Sequence, residues 1–164
     1  MTIDAVRRLL LRDLDGLAAQ VRAYPTDADL WKTIPGITNT GGTLALHAVG
    51  NLRAFVGAEL GQSGYVRDRP AEFANRDVPR EEVLARIAAT RAEVDRALAT
   101  LDEAALARPF GQEIAGVRPY TGPFLLHVAV HLGYHLGQID YHRRTVTGGG
   151  AVPGMLTVKA IAPT

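Results

Sequence analysis

His127-Val-Ala-Val-His131-Leu-Gly-Tyr-His135-Leu-Gly-Gln-Ile139 is the stretch of this 164-residue chain that decides the expected fold. Its three histidines follow one another at intervals of four residues, which places them on one face of an α-helix, about one turn apart. Leu136 lies on the opposite face and Ile139 on its flank, where both can pack against an apolar core. The stretch therefore predicts a long helix that carries a row of imidazoles.

The polar row on this helix extends beyond the three histidines. With His127 as the origin and about 100° per residue, His131 falls at about 40°, His135 at about 80°, Gln138 at about 20° and His142 at about 60°. A polar stripe that faces inward is costly unless something satisfies it, and a metal ion does so. The alternative is that the histidines are half-exposed surface residues, and spacing alone leaves both readings open. His142 lies about 10 Å beyond His135, too far to share an ion, and we expect it at the helix end, where a cation is favoured.

Apolar residues at steps of three or four predict three further helices. The four helices are expected at residues 3–23, at 43–60, from Pro79 to a frayed end near Pro109, and at 121–146. Thr2 is a suitable N-cap for the first helix, and the glycines at 148–150 end the fourth. The connections are long enough to run the length of a helix, so a simple up-down-up-down order is not required. We expect one all-α domain over residues 1–164, with an extended tail at 150–164.

Composition excludes several classes of protein. The chain is 47% hydrophobic with a formal net charge of +1, which indicates neither disorder nor attraction to nucleic acid. It has no cysteine, so any transition metal must be held by imidazole, carboxylate or water. No run approaches the roughly 20 apolar residues that a membrane helix needs, and the N-terminus has no signal-like apolar core. We expect a cytoplasmic protein that binds neither membrane nor nucleic acid.

A fourth histidine of interest, His47, lies far upstream in another apolar helical stretch. A pair of histidines at i and i+4 plus one distant histidine is the minimal recipe for a three-histidine site with open coordination positions. Asn51 follows His47 by one turn and shares its face. Asn51 either satisfies backbone groups or orients a metal-bound water or a second-shell partner, and the sequence favours neither role.

These residues resemble a known family. The pattern of His47 followed by HxxxHxGQ, which is formed by His131, His135, Gly137 and Gln138, resembles the DinB/YfiT-like superfamily of metal-dependent proteins. The resemblance is closer to the DUF1572-type subgroup. The stretches that carry it are Gly50-Asn-Leu-Arg53, Gly64-Tyr-Val-Arg-Asp-Arg69, Glu72-Phe73 and residues 131–139.

The resemblance implies a four-helix bundle with up-down-down-up connectivity. It also implies a divalent metal, often nickel or zinc, that would be held here by His47, His131 and His135. His127 is then a leftover histidine, one turn before the pair. Members of the superfamily include thiol S-transferases that use mycothiol or bacillithiol, and relatives are often homodimers.

The residues around the predicted ligands indicate which chemistry to expect. The sequence lacks an HExxH glutamate beside the ligands, and Asp140 points about 140° away from His135 on the helix. A general base for hydrolysis is therefore not evident, which favours activation of a bound ligand. We expect a metal site that activates a low-molecular-weight thiol, or water, against a small electrophilic substrate. The alternative is a bundle that binds a metal or a small molecule without catalysis.

Arg67 and Arg69 lie in the long connection after the second helix. One of them can grip a carboxylate of the substrate or cosubstrate, because a guanidinium matches a carboxylate in two parallel hydrogen bonds. Alternatively, they form ion pairs with Asp68, Glu72 or the bundle surface.

Overall fold

The computed structural model describes residues 2–162, and nearly all of the regular structure there is helical. The α-helices are α1 (Ile3–Arg22), α2 (Asp27–Trp31), α3 (Gly41–Leu52), α4 (Arg69–Ala74), α5 (Arg80–Thr100) and α6 (Thr121–Thr147). Within this part of the chain the only β-type pairs are isolated bridges, such as Ile34 with Ile37. The expected all-α class is confirmed. Within residues 2–162, none of the helices is both long and apolar enough to cross a membrane.

Helix α1 forms where the sequence predicts it. Thr2 is its N-cap, and the Thr2 hydroxyl accepts a hydrogen bond from the Ala5 amide. The apolar residues at steps of three or four, including Leu10, Leu14 and Leu17, are fully buried. Helix α1 therefore supplies one wall of the core, through the stripe that the sequence shows.

Helix α3 is buried along its whole length and continues directly into a π-helix, Arg53–Ala58. In this turn the amide of Glu59 donates to the carbonyl of Ala54, five residues earlier, at 3.1 Å. The single helix predicted at 43–60 is thus an α-helix followed directly by a π-helix. A π-helix of this kind is often found at a functional site, and this one follows shortly after His47.

The long helices pack in a way that brings two of them together at the histidines. Helix α1 packs against α5 and α6, and α3 packs against α6, α5 and the short α4. Helix α6 ends at Gly148, whose φ of 67° is the left-handed conformation that glycine adopts readily. The histidine-bearing segments of α3 and α6 therefore face each other across the core.

The connections hold more structure than the sequence predicts. Helices α2 and α4 were not predicted, and α5 ends at Thr100, before a separate 3-10 helix, Glu103–Ala107. Pro79 is the N-cap of α5, not its first helical residue. Helices α2 and α4 and the 3-10 helix are short, so their amphipathic signal is too weak to distinguish them from loops.

The expectation of an extended tail at 150–164 is wrong in part. Val158–Ile161 form a 3-10 helix. The tail is held against the helices: the Gln20 amide lies 2.9 Å from the sulfur of Met155, and Arg143 donates to the Gly150 carbonyl at 2.7 Å. Residues 163 and 164 lie outside the described part of the chain, so the expectation is not addressed there. Tertiary contacts, which a local pattern does not contain, bend the tail.

Candidate metal centre

Three imidazoles meet between α3 and α6. His47 comes from α3, and His131 and His135 come from successive turns of α6. One ring nitrogen from each lies within 4.8 Å of the other two. His47 is 7% exposed, and the other two are half-buried. The structure thus brings together the three residues that the resemblance implies as ligands.

Two of the rings are held so that their Nε2 atoms face the third. The Nδ1–H of His47 donates to Glu72 Oε2 at 2.9 Å, and that of His135 donates to Gln138 Oε1 at 2.7 Å. Neutral imidazole carries one N–H, so Nε2 of each ring keeps its lone pair. The Nε2 atom of His131 lies 3.3 Å from that of His47 and 3.1 Å from that of His135.

The spacing of these nitrogens fits a shared metal ion. Two nitrogens about 2.0–2.1 Å from one ion lie about 2.9 Å apart at a right angle and about 3.3–3.4 Å apart at a tetrahedral angle. The observed separations of 3.1 and 3.3 Å lie in that interval. A proton on His131 Nε2 satisfies one of the two contacts at a time, whereas a cation satisfies all three lone pairs. An all-imidazole donor set suits zinc and nickel.

Burial favours the neutral, metal-binding form of His131 and His135. The pKa of His131 is lowered to about 4, chiefly by burial and further by the neighbouring histidines. Burial also lowers the pKa of His135, although the hydrogen bond to Gln138 opposes this shift. Metal binding at neutral pH therefore does not have to displace protons from these two rings.

Glu72 contacts the His47 ring on the side away from the other two histidines. The sequence did not predict this residue as part of the site. Glu72, on α4, is 6% exposed and accepts hydrogen bonds from Arg67 Nε at 2.7 Å and Arg67 Nη2 at 2.8 Å, in addition to His47. Burial alone would raise the pKa of Glu72, but the hydrogen bonds from Arg67 and His47 lower it overall. In metal proteins, a histidine that binds the metal usually donates its other ring N–H to a carboxylate, carbonyl or water, and Glu72 holds His47 in this way.

The DinB superfamily model matches residues 2–139 of the chain, which include all three histidines and Glu72. The chain belongs to the DinB superfamily. No curated protein matches it. The family match does not distinguish the DUF1572-type subgroup.

Three other residues that the sequence of this DinB-superfamily protein placed in the site have different surroundings: Gln138, Arg67 and Arg69. Gln138 contacts His135 directly. Arg67 forms an ion pair with Glu72, as in the alternative to substrate binding that the sequence left open. Arg69 makes no ion pair in the described part of the chain, and its guanidinium lies 4.9 Å from the centre of the Phe73 ring.

Asn51 and His127 lie close to the cluster in sequence but are not part of it. The amide oxygen of Asn51 is buried and has no hydrogen-bond partner within residues 2–162. A buried acceptor without a donor, one turn after His47, fits the predicted contact with a metal-bound water. His127 is exposed and stacks on Phe124, with ring centres 5.9 Å apart.

A close approach of Glu72 to α3 depends on Gly50. A Cβ atom at Gly50 would lie 2.0 Å from Glu72 Oε1 and 2.6 Å from Cδ, well inside contact distance. We expect Gly50→Ala to displace the carboxylate from His47 and to weaken zinc binding by roughly tenfold or more, as loss of a second-shell partner does. Isothermal titration with zinc measures this effect. Gly137→Ala is the control, because a Cβ there meets nothing within 4 Å; equal affinity in the two variants would contradict the role of Gly50.

His142 is buried, not a cation at the helix end as expected. Its Nε2–H donates to the Lys32 carbonyl at 2.8 Å, and its Nδ1 accepts from the Tyr24 hydroxyl at 2.8 Å. Burial lowers the pKa of His142, although the bond to Lys32 opposes the shift. The ring is therefore a neutral structural link between α6 and the segments after α1.

This link predicts a pH dependence of stability. Because the pKa of His142 in the folded state lies below its ordinary value of 6.5, the unfolded chain binds a proton there before the folded chain does. The contribution of His142 is complete above about pH 6.5 and is lost as the pH falls through the lower folded value. We expect urea unfolding, with a chelator present, to show a smaller drop in unfolding free energy between pH 7 and pH 5 for His142→Gln than for the unaltered protein. Equal drops would contradict this assignment.

Proposed function

We propose that this DinB-superfamily protein is a metal-dependent enzyme in which His47, His131 and His135 bind one divalent ion, with zinc or nickel the expected metals. One observation carries the proposal: three Nε2 atoms from two helices converge while Nδ1 of His47 and of His135 is held by a fixed acceptor. Such pre-orientation is the arrangement that imidazole ligands have in metal proteins.

The surrounding residues hold the ligands in position. Glu72 and Gln138 fix the tautomers of His47 and His135, and Arg67 keeps Glu72 ionised. When bound, a divalent ion supplies positive charge that lowers the pKa of a thiol or a water molecule coordinated to it. Three neutral histidines leave that charge uncompensated and leave coordination positions open.

The reaction class that this arrangement supports best is transfer of a low-molecular-weight thiol, such as mycothiol or bacillithiol, to a small electrophile. The thiol sulfur forms a bond to the electrophilic carbon, the leaving group departs with its electron pair, and the thiol proton passes to solvent. Glu72 is fully engaged by Arg67 and His47, so it is not free to serve as a general base for hydrolysis.

The test is thiol consumption with and without metal. The purified protein is stripped with a chelator, reloaded with zinc or with nickel, and assayed with mycothiol, bacillithiol and glutathione against monobromobimane. We expect turnover only after reloading, and only with some of the thiols. Metal binding without turnover for any thiol would favour the alternative, a bundle that binds a metal without catalysis.

We also propose the finer structural assignments that the resemblance implies. These are a four-helix bundle built from α1, α3, α5 and α6 with up-down-down-up order, membership of the DUF1572-type subgroup, and one domain over the whole chain. The long segments between these four helices support this order, because they allow consecutive helices to run parallel.

A homodimer is a further part of the proposal. Leu126, Val130 and Tyr134 follow at steps of four along α6 and are 47%, 72% and 63% exposed. An apolar row of this length on a solvent face favours cover by a second copy. We expect light scattering after size exclusion to give a dimer mass that Val130→Asp shifts towards the monomer. A monomer at every concentration would contradict the proposal.

A further inference from the structure

A cavity of about 530 Å³ lies beside the histidine cluster, within the size range of small-molecule sites. Its walls come from the segment before α3, from Leu44 in the first turn of α3, and from the second half of α6. Large apolar residues form much of the lining: Ile34, Pro35, Ile37, Leu44 and Tyr141. The lining residues include no Asp, Glu, Lys or Arg.

Some of the polar side chains that line the cavity are already paired, and others are free to bind a ligand. Both nitrogens of His142 are engaged, and the hydroxyl of Thr145 donates to a backbone carbonyl at 2.8 Å. Gln138 accepts from His135 through Oε1, but its amide N–H groups have no partner in the described part of the chain. The side chain of Asn39 likewise makes no hydrogen bond there. Within residues 2–162, the hydroxyls of Thr38 and Tyr141 are also without a hydrogen-bond partner. The unused hydrogen-bonding capacity of the wall therefore lies in two side-chain amides, which can donate to a carbonyl, and in these two hydroxyls.

Two large apolar side chains remain exposed at the mouth of the cavity. Ile37 is 55% exposed at the end of a tight turn, in which its amide donates to the Ile34 carbonyl at 2.9 Å. Gly36, with a φ of 79°, makes this turn possible. Tyr141, on α6, is 72% exposed. An apolar molecule seated between the turn and α6 would remove both side chains from water.

We propose that this cavity binds an uncharged small molecule with an apolar body and a carbonyl-type acceptor for the amides of Gln138 and Asn39. A charged ligand is disfavoured, because the walls offer no opposite charge to offset its desolvation. Gln138 connects the cavity to the cluster, since its amide oxygen holds His135. The inference rests on the proposed function in one respect: it assigns this class of molecule as the electrophilic substrate.

The experiment uses two fluorescent probes with the same ring skeleton. N-phenyl-1-naphthylamine is uncharged, and 8-anilino-1-naphthalenesulfonate carries a negative charge. We expect the uncharged probe to bind the metal-free protein at one saturable site, at least about tenfold more tightly than the anionic one. Similar affinities, or no saturable binding of the uncharged probe, would overturn the proposal.

Substitutions locate the probe. Ile37→Asp places a charge at the mouth, and Thr145→Trp fills the cavity from an exposed position on α6. We expect each to weaken binding of the uncharged probe at least about tenfold, with the circular dichroism spectrum unchanged. Val117→Asp is the matched control, because Val117 ends a similar turn with Ile114 and is 63% exposed. A loss in Val117→Asp equal to that in Ile37→Asp, or none in Thr145→Trp, would overturn the assignment.

The two proposals fail separately. Because the probe is titrated into metal-free protein, its binding tests the cavity even if the purified chain takes up no metal. Conversely, zinc uptake with no probe binding would overturn the cavity assignment and leave the metal site standing.

Discussion

His131→Ala is expected to lose its metal. His131 is the middle residue of the cluster, since its Nε2 lies within 3.3 Å of Nε2 of both other histidines. Removal leaves two imidazoles from different helices, and we expect zinc affinity to fall by more than the roughly 10–100-fold that loss of a second-shell partner costs. Plasma emission analysis after dialysis against zinc should give about one ion per unaltered chain and almost none per variant chain.

The matched control for this prediction is His127→Ala. His127 lies one turn earlier on the same helix, is exposed and stands outside the cluster. We expect its metal content to equal that of the unaltered protein. If His131→Ala kept its metal, or if both variants lost it equally, the proposed ligand set would be wrong.

Glu72→Ala is expected to have the largest effect among residues that do not contact the metal. The substitution leaves the buried Nδ1–H of His47 without an acceptor and Arg67 without its counter-ion. Breaking a buried pair by removing one partner costs about 3–5 kcal/mol of stability. We also expect zinc affinity to fall about 10–100-fold. Urea unfolding and zinc titration measure the two effects.

An exposed ion pair provides the control for Glu72. Glu82 pairs with Arg86 on α5, where the two side chains are 49% and 40% exposed. Such a pair contributes about 0–1 kcal/mol, so Glu82→Ala should change stability little and zinc affinity not at all. Equal losses in the two variants would contradict the role of Glu72 in holding the His47 ring.

Helix α6 and its histidine pair follow from sequence alone. The four-residue spacing fixes His131 and His135 on one face whatever the rest of the fold does, and Gln138 falls beside them for the same reason. That His47 joins them depends on how α3 packs on α6. No local pattern contains that contact: the sequence offered His47 only as a distant third histidine, and the family resemblance implied that it joins the pair.

Glu72 could not be assigned from periodicity, because its role depends on how α4 sits over α3. A local signal was nevertheless present: Asp68 caps α4 by accepting from the Ala71 amide, and Pro70 lies in the first turn. A cap followed by an early proline predicts a short helix. The close approach that Gly50 permits is a tertiary fact that the sequence does not show.

The charge state of His142 depends on its tertiary contacts more than on its position in the helix. Its place late in α6 suggested a solvated cation that interacts with the helix dipole. In the structure, the segment after α1 covers it, and Tyr24 and Lys32 occupy both ring nitrogens. Burial with two partners outweighs the modest dipole effect and favours the neutral ring.

An anomalous difference map at the zinc edge, from crystals of zinc-loaded protein, tests directly whether the three histidines share one ion. If the three histidines bind one ion, the map contains one peak per chain, about 2.0–2.1 Å from Nε2 of His47, His131 and His135. A zinc peak elsewhere, with these three nitrogens bound to nothing, would contradict a shared site.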